Sequence, residues 1–344
     1  MQIRLLIKLA AALTPLVAFL LAPAALAADP KAKDADTCQG VDMLEETRSQ
    51  DPALYAQIMA QADATENSNA ILWKVEHEGT PPSYLFGTVH LTDERISRLS
   101  PAVQLALKES KTIALEVSDL DEKATAAVLA KSAPLVMYTD GRRLDRQLSP
   151  SEYEVVKGII QRSGMPADLA AQFKPWIITM IMSVSDCERA KVQAGERVLD
   201  MQIAEIGKKR GMEVLGLETI PEQLKALAEV PEEQQINMLR ASLKFADRTN
   251  DMMETLVQLY LKRKIAAAMP FQMAMARKMG ITDESFVGYQ QKLLIERNEK
   301  MAATALPLLE KGNLFIAVGA LHLSGQLGLV ALLRNAGYTV TAIE

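Results

Sequence analysis

Short strand-like runs crowd the two ends of this chain, and a long stretch of helical pattern lies between them. Runs of β-branched and apolar residues occupy 71–76, 84–89 and 112–117 near one end. Two more, at 314–318 and 338–343, close the other end, and one isolated run sits at 212–217. Single strands are not stable alone, so the two ends must meet in one sheet. The expected architecture is therefore α/β. A central mixed sheet is built from both ends of the chain, with a large helical insertion at about 120–311. Gly79-Thr80-Pro81-Pro82 reads as a tight turn and makes the first two strands a hairpin. Ser100-Pro101 opens a helix with an N-cap and an N1 proline. Ser149-Pro150-Ser151-Glu152 is a capping box for another. Helical patterns continue through 168–173, 176–190 and 198–210, then through 221–311, and a last helix is expected at 326–335. Gly211 and Gly337 stand where C-terminal caps belong.

The first 27 residues read as an address. Arg4 and Lys8 precede a nearly unbroken apolar run at 9–21, and Ala25-Leu26-Ala27 gives the small-x-small pattern of signal-peptidase cleavage. The run is short of the about 20 residues that span a bilayer. Cleavage after Ala27 would leave an exported protein, periplasmic in a bacterium, with no stable membrane anchor. Residues 28–69 then form a polar tail and helices, with helical pattern at 43–61, ahead of the main domain at 70–344. Export bears on the two cysteines. In an oxidising compartment Cys38 and Cys187 can pair, and the alternative is two free thiols. Two cysteines are too few for a disulfide-built scaffold. The chain holds 38 Lys plus Arg against 43 Asp plus Glu, a net charge of −5. No basic excess points to nucleic acid. Oligomeric state has no signal in the sequence.

Of three histidines in 344 residues, two sit in matching frames. One frame is Phe86-Gly87-Thr88-Val89-His90-Leu91-Thr92, and the other is Val318-Gly319-Ala320-Leu321-His322-Leu323-Ser324. Each follows an expected strand. The glycines, Gly87 and Gly319, permit a sharp turn or a close approach. The hydroxyl residue is placed to cap the next helix. In α/β sheets, ligands bind at the carboxyl ends of strands, so His90 and His322 are expected to converge on one site. His77, in a Glu-His-Glu triplet without a glycine, reads as a surface residue.

Glu116 and Glu218 also end expected strands. Two histidines with one or two glutamates form a competent set for Zn, Mn or Co with an open position for water. They suit equally a metal-free site in which histidine is the general base and glutamate orients it. Glu296-Arg297-Asn298 lies on a helix just before the second histidine frame. Arg297 is placed to clamp a substrate carboxylate or oxyanion, or to pair with a site glutamate. Phe271, Met273, Met275 and Met279 read as core packing or as a soft apolar groove for peptide or lipid.

Taken in order, these residues resemble the TraB/GumN (TraB/PrgY/GumN) family, which is similar to the Tiki proteases and more distantly to the erythromycin-esterase and ChaN-like groups. The resemblance covers roughly 70–344. It is carried by Gly87 to His90, Leu115-Glu116, Asp200 ahead of Gly211, and Gly216-Leu217-Glu218-Thr219 with Gln223. Glu296-Arg297-Asn298 and Gly319-Ala320-Leu321-His322-Leu323 complete it. It implies an α/β core and a metal-dependent peptidase centre. His90, His322 and Glu116 would hold a divalent ion, with Glu218, Arg297 and Asn298 lining or supporting the site. The expected function is an exported metal-dependent hydrolase, a peptidase for a peptide or protein substrate. The alternatives are a metal-independent, esterase-like hydrolase and a non-enzymatic binder of peptide, haem or iron at the same two histidines.

Overall fold

The computed structural model describes residues 38–118, 128 and 131–344. The address-like segment 1–27 and the tail up to 37 lie outside the described residues.

Six strands form one sheet: β1 (Leu72–Glu76), β2 (Ser83–Thr88), β3 (Thr112–Leu115), β4 (Glu213–Gly216), β5 (Leu314–Gly319) and β6 (Thr339–Ala342). Their order is β4-β3-β5-β2-β1-β6. The fold class is the α/β arrangement expected, and its reason is visible in that order. β5, from the far end of the chain, lies between β3 and β2 from the near end. It runs parallel to both, pairing Ala317 with Leu115 and with Phe86. β4 extends the parallel set through β3. β1 is antiparallel to β2 and to β6, which makes the sheet mixed.

β5, the strand between β3 and β2, is apolar from Leu314 to Val318 because both of its faces are covered. The two-residue period of β5 splits it cleanly. Leu314, Ile316 and Val318 enter one core with Trp73, Leu85, Met301 and Leu333. Phe315 and Ala317 enter the other with Leu72, Phe86, Ile113, Tyr260 and Phe271. A third core lies away from the sheet, among helices, around Phe173, Trp176, Leu224 and Leu239. Phe271 and Met275 are buried in the sheet core, where they pack as the first reading of that cluster expected.

Several expected helices are broken, each by local chemistry. The run at 43–61 becomes Met43–Gln50 and Pro52–Ala64, because Asp51 caps the second helix and Pro52 cannot donate to the first. The run at 176–190 becomes Pro175–Met182 and Asp186–Gln193, with the Ser185 side chain accepting from Glu188 N. Residues Ala167–Ala171 form a tight 3-10 turn, and the last helix starts late, at Leu329. The capping box at Ser149 and Glu152 has both of its hydrogen bonds.

Cys38 and Cys187 are joined in a disulfide, with their Cα atoms 5.2 Å apart. Beside it Val41 N donates to Asp251 and Met43 N to Thr255, which lays the start of the described chain on helix Thr249–Leu261. Among the described residues no helix is long and apolar enough to cross a membrane.

Candidate functional site

Because β2, β5, β3 and β4 are parallel, their carboxyl ends share one edge. His90 lies two residues past β2, and His322 closes the short turn Ala320–His322 after β5. Glu116 directly follows β3, and Glu218 lies two residues past β4. The sheet therefore assembles the four side chains from four separate segments. The two histidine frames also touch. A Cβ added at Gly87 would lie 2.9 Å from Ala320 Cα, so the close approach requires glycine.

Glu116 is the hub. Its Oε1 accepts from Gly319 N at 2.7 Å and faces both imidazoles, with His90 Nε2 at 3.8 Å and His322 Nε2 at 3.7 Å. Its Oε2 accepts from Arg297 Nη2 at 2.6 Å and from Gln223 Nε2 at 3.2 Å. Gly319 is tightly placed too, because a Cβ there would lie 3.1 Å from Glu116 Oε1.

Each imidazole is oriented through its other nitrogen. His90 Nδ1 meets Asp200 Oδ2 at 2.7 Å, while Asp200 Oδ1 accepts from Thr88 Oγ1 at 2.6 Å. His322 Nδ1 meets Asn298 Oδ1 at 2.6 Å, and Asn298 Nδ2 donates to Leu327 O at 2.8 Å. The Leu327 carbonyl can only accept, so it sets the amide, and the amide in turn sets the tautomer. His322 carries its proton on Nδ1, and its bare Nε2 lone pair faces a carboxylate oxygen. Two electron-rich atoms face each other there, an arrangement suited to a cation between them.

Arg297 binds both glutamates. Its Nη2 also reaches Glu218 Oε2 at 2.6 Å, and its Nε lies 3.1 and 3.0 Å from the two Glu218 oxygens. Of the three roles considered for Arg297, the structure displays the pairing with site glutamates. Glu218 is buried against Arg297 and Gln223, where it braces the hub. The Glu296 side chain turns away to Lys292.

The electrostatics follow from this packing. Burial opposes ionisation of Glu116, but Arg297 and the two histidines outweigh it and hold the carboxyl far below the usual range. Burial and the Arg297 charge push His322 down to about 3, so this ring is neutral. Desolvation also disfavours the charged form of His90, but the Asp200 carboxylate and its hydrogen bond prevail and raise it to about 9. His90 is the open side of the site, with 39% of its side chain exposed against 6% for His322 and 9% for Glu116. With His90 protonated, three carboxylates against one guanidinium and one imidazolium leave a formal charge of one minus, and loss of the His90 proton on ligating an ion would make it two minus. A divalent cation would balance it.

Among the described residues no three His, Cys, Asp or Glu side chains are already drawn together as a metal cage. The donors nonetheless fit a divalent ion in kind. Two imidazole Nε2 atoms face one carboxylate oxygen, and each ring's Nδ1 is held by an oxygen, the usual outer support of a ligating histidine.

The sequence reading missed two contributors. Thr88 steadies Asp200, and Tyr260 OH donates to Gly87 O at 2.7 Å. Thr92 does not cap a helix as expected. Asp93 caps the short helix Glu94–Ser97, and Thr92 instead bonds to Glu188. Likewise Gly328, not Ser324, precedes helix Leu329–Asn335. His77 is exposed and rests against Tyr338, away from this site.

Fold and site together define a class: an α/β protein with a polar centre at the carboxyl ends of four parallel strands. The sequence profile of the TraB/PrgY/gumN family matches residues 71–342, and the chain belongs to that family. It is similar to the Metalloprotease TIKI homolog of Nematostella vectensis, 22% identical over 81% of this chain and 68% of the relative. It is similar also to Metalloprotease TIKI2 of Xenopus tropicalis, 26% identical over 80% of this chain and 60% of the relative. A bacterial relative, the uncharacterized protein YbaP of Shigella flexneri, is 21% identical over 74% of this chain and 89% of its own length. The chain thus spans only about two thirds of the Tiki relatives' length. No solved structure matches it significantly. At family level, relatives named as metalloproteases support a metal-dependent, protease-like function.

Proposed function

We propose that this protein is an exported metal-dependent hydrolase, a peptidase acting on a peptide or protein substrate. His90, His322 and Glu116 would hold one divalent ion, Mn, Co or Zn. The observation that carries this reading is the bare His322 Nε2, which faces Glu116 Oε1 at 3.7 Å with the ring's other nitrogen tied to Asn298. Held by these residues, such an ion would supply Lewis acidity, polarising a substrate carbonyl and easing loss of a proton from the attacking water.

The protein's own groups prepare the site. Asp200 and Asn298 orient the two rings. Arg297, Gln223 and the Gly319 amide keep Glu116 ionised and aimed at both of them. Glu218 balances Arg297, which leaves Glu116 free to serve the site rather than neutralise the guanidinium alone. Substrate would approach from the His90 side, where the site is most open.

Export is supported by the address-like segment 1–27, read as a signal peptide cleaved after Ala27, and by the Cys38–Cys187 bridge, which suits an oxidising compartment such as the periplasm.

The test is hydrolysis of a panel of unstructured peptides, before and after exhaustive chelation. Activity should vanish on chelation and return with Mn, Co or Zn. A second reading draws on the His90–Asp200 contact, the pairing that orients a general base. Activity that survives chelation but not His90→Ala would favour that metal-free hydrolase. Tight binding of peptide, haem or iron without turnover would replace both with a binding protein.

A further inference from the structure

Among the described residues four acidic side chains are buried: Glu116, Asp200, Glu218 and Glu188. The first three belong to the site. Glu188 lies outside it, in the first turn of helix Asp186–Gln193. Both of its oxygens go to one residue. Oε1 accepts from Thr92 N at 2.5 Å and Oε2 from Thr92 Oγ1 at 2.9 Å, across 96 residues of sequence. Burying a carboxylate is costly unless its bonds are good ones, and here all of them hold a single loop residue.

That residue is two positions after His90. The loop is also held by Leu199 N donating to Leu91 O at 3.3 Å, by the contact of Asp200 with His90 itself, by burial of Val89 and Leu91 in the sheet core, and, just beyond Thr92, by the Arg95–Glu254 ion pair. Leu199 and Asp200 both start helix Leu199–Lys209. Glu188 adds a hold from another helix, at a position only two residues from His90. The helix bearing Glu188 is itself fixed, because the neighbouring Cys187 is bonded to Cys38.

We propose that Glu188 is a positioning residue for His90: its paired bonds to Thr92 clamp the loop and thereby set where the His90 ring stands relative to Glu116 and His322. This rests on His90 belonging to the functional site. It does not require that a metal be bound.

Three histidines in the whole chain make the test direct. Ring Cε1–H resonances of His77, His90 and His322 are recorded for the full protein, metal-free and at one pH. In Glu188→Ala, the His90 signal is expected to shift and broaden while His77 and His322 stay in place. Glu188→Gln keeps an acceptor for the Thr92 amide and a polar partner for its hydroxyl, and should restore the wild-type position. Thr92→Val removes the hydroxyl bond from the other side, and should move His90 alone, by less. It decides the matter if Glu188→Ala does not fold. An unmoved His90 signal in folded Glu188→Ala or in Thr92→Val overturns the proposal, as does failure of Glu188→Gln to restore it. Affinity for Mn, measured separately by calorimetry, should fall about 10-fold in Glu188→Ala and hold in Glu188→Gln. Wild-type protein that binds none of Mn, Co and Zn would defeat the metal reading while the resonances still judge Glu188.

Discussion

Arg297→Met removes a guanidinium bonded to two buried carboxylates. In the wild type, Nη2 bridges Glu116 and Glu218 at 2.6 Å each, and the three side chains are 9%, 9% and 1% exposed. After the change, the two carboxylates keep Gln223 as a shared donor at 3.2 and 3.4 Å, and like charges then face each other inside the protein. Breaking a buried pair by removing one partner costs about 3–5 kcal/mol. Against a total stability of about 5–15 kcal/mol, that is a large share. At about 2–4 °C per kcal/mol for chains of this order of size, Tm should fall by about 6–20 °C. Circular dichroism during heating and urea titration, with chelator present, measures both quantities. The double variant Arg297→Met, Glu218→Gln should recover about 1–3 kcal/mol, because one unpaired charge is gone. The pH dependence has a definite sign. The wild-type Glu116 carboxyl is held below its ordinary 4.5, so its contribution is present above that pH and lost as pH falls. In the variant the carboxyls lack their cation, and acid relieves them. The gap between the two proteins should therefore narrow below about pH 4.5. A loss under 1 kcal/mol at neutral pH, with no recovery in the double variant, would refute the reasoning.

Other outcomes follow from single contacts. Asn298→Leu removes the acceptor that holds the His322 proton on Nδ1, so divalent-ion affinity should fall about 10- to 100-fold by calorimetry. Gly87→Ala would force a Cβ to 2.9 Å from the Ala320 backbone, and should destabilise the protein by about 1–3 kcal/mol in a urea melt. Reduction of Cys38–Cys187, which spans 149 residues, should lower stability by up to about 5 kcal/mol on loop entropy alone. Intact mass after alkylation, with and without reductant, checks that the bridge was present.

How far the sequence foretold this molecule depended on the range of the interaction. The strand runs were legible because inner strands bury both faces, and Leu314 to Val318 is unbroken apolar sequence for that reason. The meeting of the two chain ends was legible too, since the two strand runs of the far end cannot form a stable sheet by themselves. The helix breaks at Asp51-Pro52 and Ser185 were written locally, in a proline and a capping serine, but the surrounding apolar pattern obscured them. The two histidines announced themselves by repeated frames. Their partners did not. Nothing near Thr92 in sequence points to Glu188, and nothing near Gly87 points to Tyr260, because those bonds join residues 96 and 173 positions apart. Arg297 was placed near the site, but its choice of glutamates over substrate depends on two strand ends that only the folded sheet brings beside it.

Metal analysis of the protein purified without added chelator tests the central claim most directly, with the His90→Ala, His322→Ala double variant prepared in parallel. The account predicts one tightly held divalent ion per chain in the wild type and none in the variant, both folded by circular dichroism. A wild-type protein that carries no metal, takes up no Mn, Co or Zn on dialysis, and behaves identically with and without chelator would contradict it.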